Sequence, residues 1–165
     1  MRVEDIRDLF AYNAWANGRI LAAAEGIGDA EYTAVVPGLS HGSIRATLVH
    51  TLAAEIVWRQ RCLKSLSPDR LLGEADALTF DALRARWAVA EAALQVGLAR
   101  LSDEALVETL DYRTTRGTPM RDTRWKLLVH AVNHGTQHRA EAAVALTALG
   151  RSPGDVDYII YLRQK

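Results

Sequence analysis

Apolar residues at Ile6, Leu9, Phe10, Ala14, Ile20, Leu21 and Ala24 recur mostly at spacings of three and four, which predicts an amphipathic helix from Val3 to near Gly26 and Gly28. A second set, Ile44, Leu48, Leu52, Ile56, Val57 and Trp58, predicts a helix over 44–65 with Ser43 or Ser40 as its cap. A third, Phe80, Leu83, Trp87, Ala90, Leu94, Val96 and Leu98, predicts a helix over 79–101, with Asp81 at its start and Arg100 at its end placed favourably for the helix dipole. The fourth begins near Asp122 or Thr123 and runs to Leu149 or Gly150. Along it Leu127, Ala131, His134, His138 and Ala142 trace one core-facing line. Four helices with apolar faces and no strong strand signal between the first three predict an all-α four-helix bundle.

The connections are uneven. Residues 28–43, GDAEYTAVVPGLSHGS, are too rich in Gly, Pro and Ser to stay helical and read as a crossover loop, long enough to carry the chain to a non-adjacent position of the bundle. Ser67, Pro68 and Gly73 mark a second connection. Residues 102–120 contain a short turn of helix, an alternating segment around Leu110 and Tyr112 and an Arg-Gly turn, which together suggest a small hairpin before the last helix. Such a hairpin either covers a pocket at one end of the bundle or is an ordinary long loop. After Pro153 and Gly154, the apolar residues Val156, Tyr158, Ile159, Ile160 and Tyr161 are expected to pack back on the bundle end or on a second subunit.

At 165 residues the chain has the size of one domain, spanning 1–165. Twenty basic residues balance twenty acidic ones and no polybasic block stands out, which argues against nucleic-acid binding. One cysteine, Cys62, cannot form an internal disulfide, and neither a signal peptide nor a membrane-spanning run is visible. A soluble cytoplasmic protein with no membrane partner is the expectation.

Histidine carries the chemistry. His130, His134 and His138 follow one another at four-residue spacing, and neighbours in such a series stack on one helix face as a two-toothed clamp for a borderline divalent ion. The first and third of three successive turns are separated by about 12 Å of rise at 1.5 Å per residue, so one histidine must stay outside the coordination sphere. A single helix supplies too few ligands, and His50, among Val49 and Leu52 and small neighbours on the second helix, is the candidate from elsewhere. His41 lies beside Gly42 in the loop, whose flexibility would fix ligand geometry poorly, and is read as an ordinary surface histidine. Asn13 and Asn17, one turn apart, either line a polar cavity or face water. The sequence contains no HExxH, no Glu-x-x-His pair and no GxxxxGK[ST]. Cys62 is a weak candidate nucleophile, roughly three turns from His50 on the same helix.

Three segments, YNAWAN at Tyr12 to Asn17, LVHTLAAEIVW at Leu48 to Trp58 and HAVNHGTQHR at His130 to Arg139, resemble the DinB-like (damage-inducible, YfiT-related) family of metalloenzymes. The resemblance covers most of the chain. It implies a four-helix bundle with overhand, up-down-down-up connections and a divalent ion, zinc or nickel, held by His50, His134 and His138, with His130 as a neighbour. Where the family often continues HRGQ, this chain has His138, Arg139, Ala140 and Glu141, which sets a carboxylate one turn past a ligand. The family resemblance also implies stress association and, for some members, S-transfer with low-molecular-weight thiols.

Three neutral imidazoles would leave such an ion its full charge and an open position, the arrangement of a catalytic site. The first functional expectation is therefore a metal-dependent transferase or hydrolase acting on a small molecule, with a thiol as the partner the resemblance suggests. Asn13, Asn17, Glu141 and Asp155 are the candidates to orient the rings. The alternative is a metal-dependent small-molecule binding protein without turnover. A third reading makes the histidines polar core residues of a homodimer joined through the apolar tail.

Overall fold

The computed structural model describes residues 1–77 and 79–164. Four long helices dominate it: α1 (Val3–Ala24), α3 (Ile44–Lys64), α4 (Phe80–Ala99) and α6 (Arg124–Ala148). Short elements fill the connections, namely α2 (Asp29–Thr33), a 3-10 turn (Glu74–Asp76), α5 (Asp103–Leu106), the strands β1 (Thr109–Arg113) and β2 (Pro119–Thr123), and α7 (Tyr158–Leu162).

Local chemistry explains where the long helices begin and end. Ser43 Oγ accepts from the Ala46 backbone N–H at 3.0 Å, so Ser43 and not Ser40 caps α3. The same helix stops at Ser65, whose left-handed φ of 53° lets the chain fold back so that Leu66 N–H donates to the Gln60 carbonyl. Thr79 caps α4 through Ala82 N–H at 3.2 Å. Thr123 stands at the cap position of α6 without a side-chain cap bond, because it ends a strand; its successor Arg124 donates its N–H to the Glu108 carbonyl instead. Asp122 lies within β2 and does not cap the helix.

The loop predicted over 28–43 is in part helical. Asp29 and Glu31 occupy the first turn of α2, where carboxylates suit the helix dipole, and Tyr32 is fully buried edge-on against Phe80 at 6.0 Å. Five residues anchored by one aromatic ring are too short to leave a periodic signal.

Helix α6 packs against both α1 and α3, and α4 packs against both α3 and α1, so the four long helices form a closed ring around the core. Two apolar clusters fill it. One is built around Ile20, Leu48, Leu52, Leu83, Trp87 and Leu146, the other around Ile6, Phe10, Leu94, Leu98 and Leu128. Along three of the helices the switch from one cluster to the other is marked by a buried polar residue: Asn13 and Asn17 between Phe10 and Ile20, Glu55 between Leu52 and Cys62, and Arg139 between Val132 and Ala142.

The hairpin expected before the last helix is present, antiparallel, with Thr109 opposite Thr123 and Arg113 opposite Pro119. Its turn passes through Gly117 at φ 81°, a conformation that favours glycine. It docks on the end of α3, where Tyr112 meets Trp58 edge-on at 5.8 Å and the Arg61 guanidinium lies over both rings. A hollow beside it is lined by residues 65–67 and both strands, with no histidine among the lining residues. The tail packs on its own bundle: Tyr12 donates to the Val156 carbonyl at 3.1 Å, and Tyr158 and Tyr161 close on Tyr12 and Trp15. Among the described residues no helix is long and apolar enough to cross a membrane.

Candidate metal centre

Four imidazoles converge between α3, α6 and the loop that precedes α3. His50 stands on the second turn of α3, and His134 and His138 stand one turn apart on the same face of α6. The Nε2 atoms of His50 and His134 are 3.3 Å apart. Ring centroids are 4.7 Å apart for His50 and His138 and 4.5 Å for His134 and His138. Two nitrogens bound at about 2.0–2.1 Å to one tetrahedral ion are separated by roughly 3.4 Å, so the His50 to His134 edge already has the length that such a centre requires.

His41 is the fourth ring, and its position corrects the reading of it as an ordinary surface residue. One ring nitrogen from each of His41, His50 and His138 lies within 4.8 Å of the other two. The loop is not a free flank. Val36 N–H donates to the Gly42 carbonyl at 2.8 Å and closes it, and Glu141 on α6 accepts from Ser40 Oγ at 2.7 Å and from Ser40 N–H at 3.2 Å. Gly38 and Gly42 supply the positive φ values of 92° and 83° that this tight return needs. His41 stacks on His50 with centroids 3.8 Å apart and planes inclined by 24°.

Ring orientation differs among the four. An imidazole binds an ion in its own plane, roughly 3 Å from the ring centre. Planes as nearly parallel as those of His41 and His50 meet well beyond that distance, so one ion cannot lie in both. The His50 and His134 planes cross at 45° and those of His50 and His138 at 77°, which permits convergence.

Burial sets the charge state. It lowers the His50 and His134 pKa values from 6.5 to about 4, helped by the neighbouring imidazoles, and it lowers those of His41 and His130 as well. The rings are therefore neutral at physiological pH, the form in which histidine binds a metal. His134 Nδ1 and His138 Nδ1 are buried with no hydrogen-bond partner, so the protein alone does not satisfy the cluster. The donor set, neutral imidazoles on two facing helices, fits a borderline divalent cation.

Of the residues expected to orient the rings, only Glu141 faces one. Its Oε2 lies 3.6 Å from His138 Nδ1. Burial raises the Glu141 pKa, but the two Ser40 hydrogen bonds and His138 outweigh it, and the carboxylate stays below its usual range. Asp155 accepts from Asp157 N–H in the tail. Asn13 and Asn17 serve a separate buried network, donating to Glu55 Oε1 at 2.7 and 2.8 Å while their oxygens accept from Arg139 Nη1. Gly135, between His134 and His138, makes room for it: a Cβ there would meet Arg139 Nη1 at 2.8 Å. His130 turns away to pack edge-on against Trp58 at 4.9 Å. Cys62 is buried and its thiol is pushed up to about 12, mainly by burial, so it is no nucleophile in the folded protein.

A model of the DinB family matches residues 1–165. The chain belongs to the DinB family. It is similar to a curated relative named Protein DinB from Bacillus subtilis (strain 168), with 27% identity over 167 residues that cover 93% of this chain and 91% of that protein. Membership in the DinB family was legible in the sequence; the part played by His41, Glu55 and Arg139 was not. Two asparagines one turn apart in an apolar stripe were the available signal for Glu55 and Arg139, since buried amides need partners.

Proposed function

We propose that this protein is a divalent-metal-dependent enzyme whose ion, zinc or nickel, is held by His50, His134 and His138. The observation that carries the reading is the 3.3 Å approach of His50 Nε2 to His134 Nε2 between rings that burial keeps neutral. DinB membership and the grouping of His50 and His138, with His41 beside them, support it. The closed ring of long helices supports the finer architecture, one domain over 1–165 arranged as a four-helix bundle with overhand connections.

Three imidazoles from two helices hold the cation without cancelling its charge, and the fourth face is left for an incoming atom. When bound there, such an ion supplies Lewis acidity that makes hydroxide or thiolate accessible near neutral pH. The chain's own part is positional. Helix α6 fixes two rings by packing Ala131 and Ala142 into the core on either side of them, α3 fixes the third, and Glu141 offers a carboxylate toward His138 Nδ1. The reaction we favour is transfer to or from a low-molecular-weight thiol, or hydrolysis of a small molecule.

Metal analysis of protein purified without a histidine tag tests the reading. Close to one divalent ion per chain is expected, lost on replacing His50, His134 or His138 by Ala and retained on replacing His130. Unchanged metal content in all three variants rules the proposal out, and a loaded protein that binds thiols without turning any over would leave a binding protein as the better description.

A further inference from the structure

Three observations single out His41. It comes from a loop and not from a long helix, yet that loop is closed on itself by the Val36 to Gly42 hydrogen bond and fastened to α6 by two hydrogen bonds from Ser40 to Glu141. Its ring nitrogen lies within 4.8 Å of ring nitrogens of His50 and His138, but its plane is nearly parallel to that of His50. It is partly exposed, as His50 and His134 are, whereas His138 is buried.

A side chain with these properties is too close to the centre to be unrelated to it and wrongly turned to share an ion with His50. The shell it occupies is that of the next partner outward. An atom bound to the ion sits about 2 Å from it and reaches a hydrogen-bond partner about 3 Å further on. Stacking on the face of His50 keeps a ring nitrogen of His41 within 4.8 Å of those of His50 and His138, in a plane displaced from that of His50.

Resting on the metal-binding reading above, we propose that His41 is the hydrogen-bonding contact for the atom that takes the open position, and that Ser40 and Glu141 position it. It recognises a small ligand with a polar donor atom, an oxygen or a sulfur, by a hydrogen bond beyond the coordination sphere. The loop over residues 36–42 is thereby part of the site, and Glu141 links it to the helix that carries His134 and His138. In the wild-type residue set, Ser40 gives both its N–H and its hydroxyl to one oxygen of Glu141, so loss of the hydroxyl removes the shorter of the two ties.

The test uses full-length protein loaded with cobalt(II) and followed by its visible spectrum, with azide and 2-mercaptoethanol as probes. Replacing His41 by Ala is expected to leave cobalt affinity at the wild-type level and to weaken both probes on the order of ten-fold, the effect of losing one hydrogen bond to a charged group. His41→Gln, which keeps a hydrogen-bonding tip, should recover part of the loss, and Ser40→Ala should show a smaller loss than His41→Ala. Thermal melting of the metal-free variants checks that each is folded. Unchanged probe binding in His41→Ala overturns the proposal. So does a loss of cobalt equal to that of His50→Ala, which would make His41 a ligand. Failure of the parent reading is distinguishable, because wild-type protein would then take up no cobalt, or His50→Ala, His134→Ala and His138→Ala would bind it as the wild type does.

Discussion

Glu55 and Arg139, opposite charges buried at the middle of the molecule, are joined through the amides of Asn13 and Asn17. Each asparagine donates to the carboxylate and accepts from the guanidinium, so three helices are tied by four hydrogen bonds at the level where the two apolar clusters meet. Removing one charge strands the other in a place where water does not reach it. Glu55→Ala or Arg139→Ala should each cost about 3–5 kcal/mol, whereas Glu55→Leu combined with Arg139→Met should be closer to wild type than either single change. Urea unfolding of the three variants measures this; single variants whose effects simply add would mean the four side chains do not act as a unit.

The network also explains why a glycine sits inside the longest helix. Gly135→Ala would normally stabilise a helix interior, by about 1 kcal/mol. Here its Cβ would meet Arg139 Nη1 at 2.8 Å and Asn13 Oδ1 at 3.0 Å, and both are held by their own hydrogen bonds. The expected sign is therefore reversed, a destabilisation of about 1–3 kcal/mol. Because Gly135 adjoins His134, metal affinity should fall as well. A Gly135→Ala protein that melts above the wild type would show that the guanidinium yields easily.

Helix positions were legible because long amphipathic segments leave a repeating apolar signal, and Ile44, Phe80 and Val3 all start helices where that signal begins. The approach of His50 to the histidines of α6 was legible for the same reason, whereas the choice of His134 and His138 over His130 came with the family resemblance and not with the spacing. Tyr32 and His41 were not, since their places are set by contacts between segments distant in sequence, Tyr32 with Phe80 and the His41 loop through Ser40 with Glu141. A loop ordered by its own backbone hydrogen bonds and a distant carboxylate looks, in sequence, like any Gly- and Ser-rich loop.

Acid should weaken the metal-free protein through the buried rings. His50 and His134 have folded-state values of about 4, against 6.5 for a free imidazole, so between those limits the unfolded chain binds more protons than the folded one. Their contribution to stability is complete above pH 6.5 and is lost progressively as the pH falls toward about 4. Urea midpoints of apo protein measured across this window should decline with falling pH, and His50→Ala or His134→Ala should flatten the decline. A midpoint that rises on acidification in the wild type, or a slope indifferent to both substitutions, would contradict the assignment.

Cys62 offers a direct measure of opening at the other end of α3. Its side chain is 1% exposed, and burial raises its thiol to about 12, so neither access nor thiolate is available in the folded chain. Reaction with an aromatic disulfide reagent should therefore be slow under native conditions and should accelerate with urea in step with unfolding. The neighbouring contacts make a sharper comparison. Arg61 donates to the Arg113 carbonyl and lies over Trp58 and Tyr112, holding the hairpin on this end of the helix. If the hairpin guards Cys62, Arg61→Ala should speed labelling more than it lowers global stability, because it frees the local cover while leaving the two apolar clusters in place. Labelling that changes only as much as the global unfolding free energy would place the protection in the core and not in the hairpin.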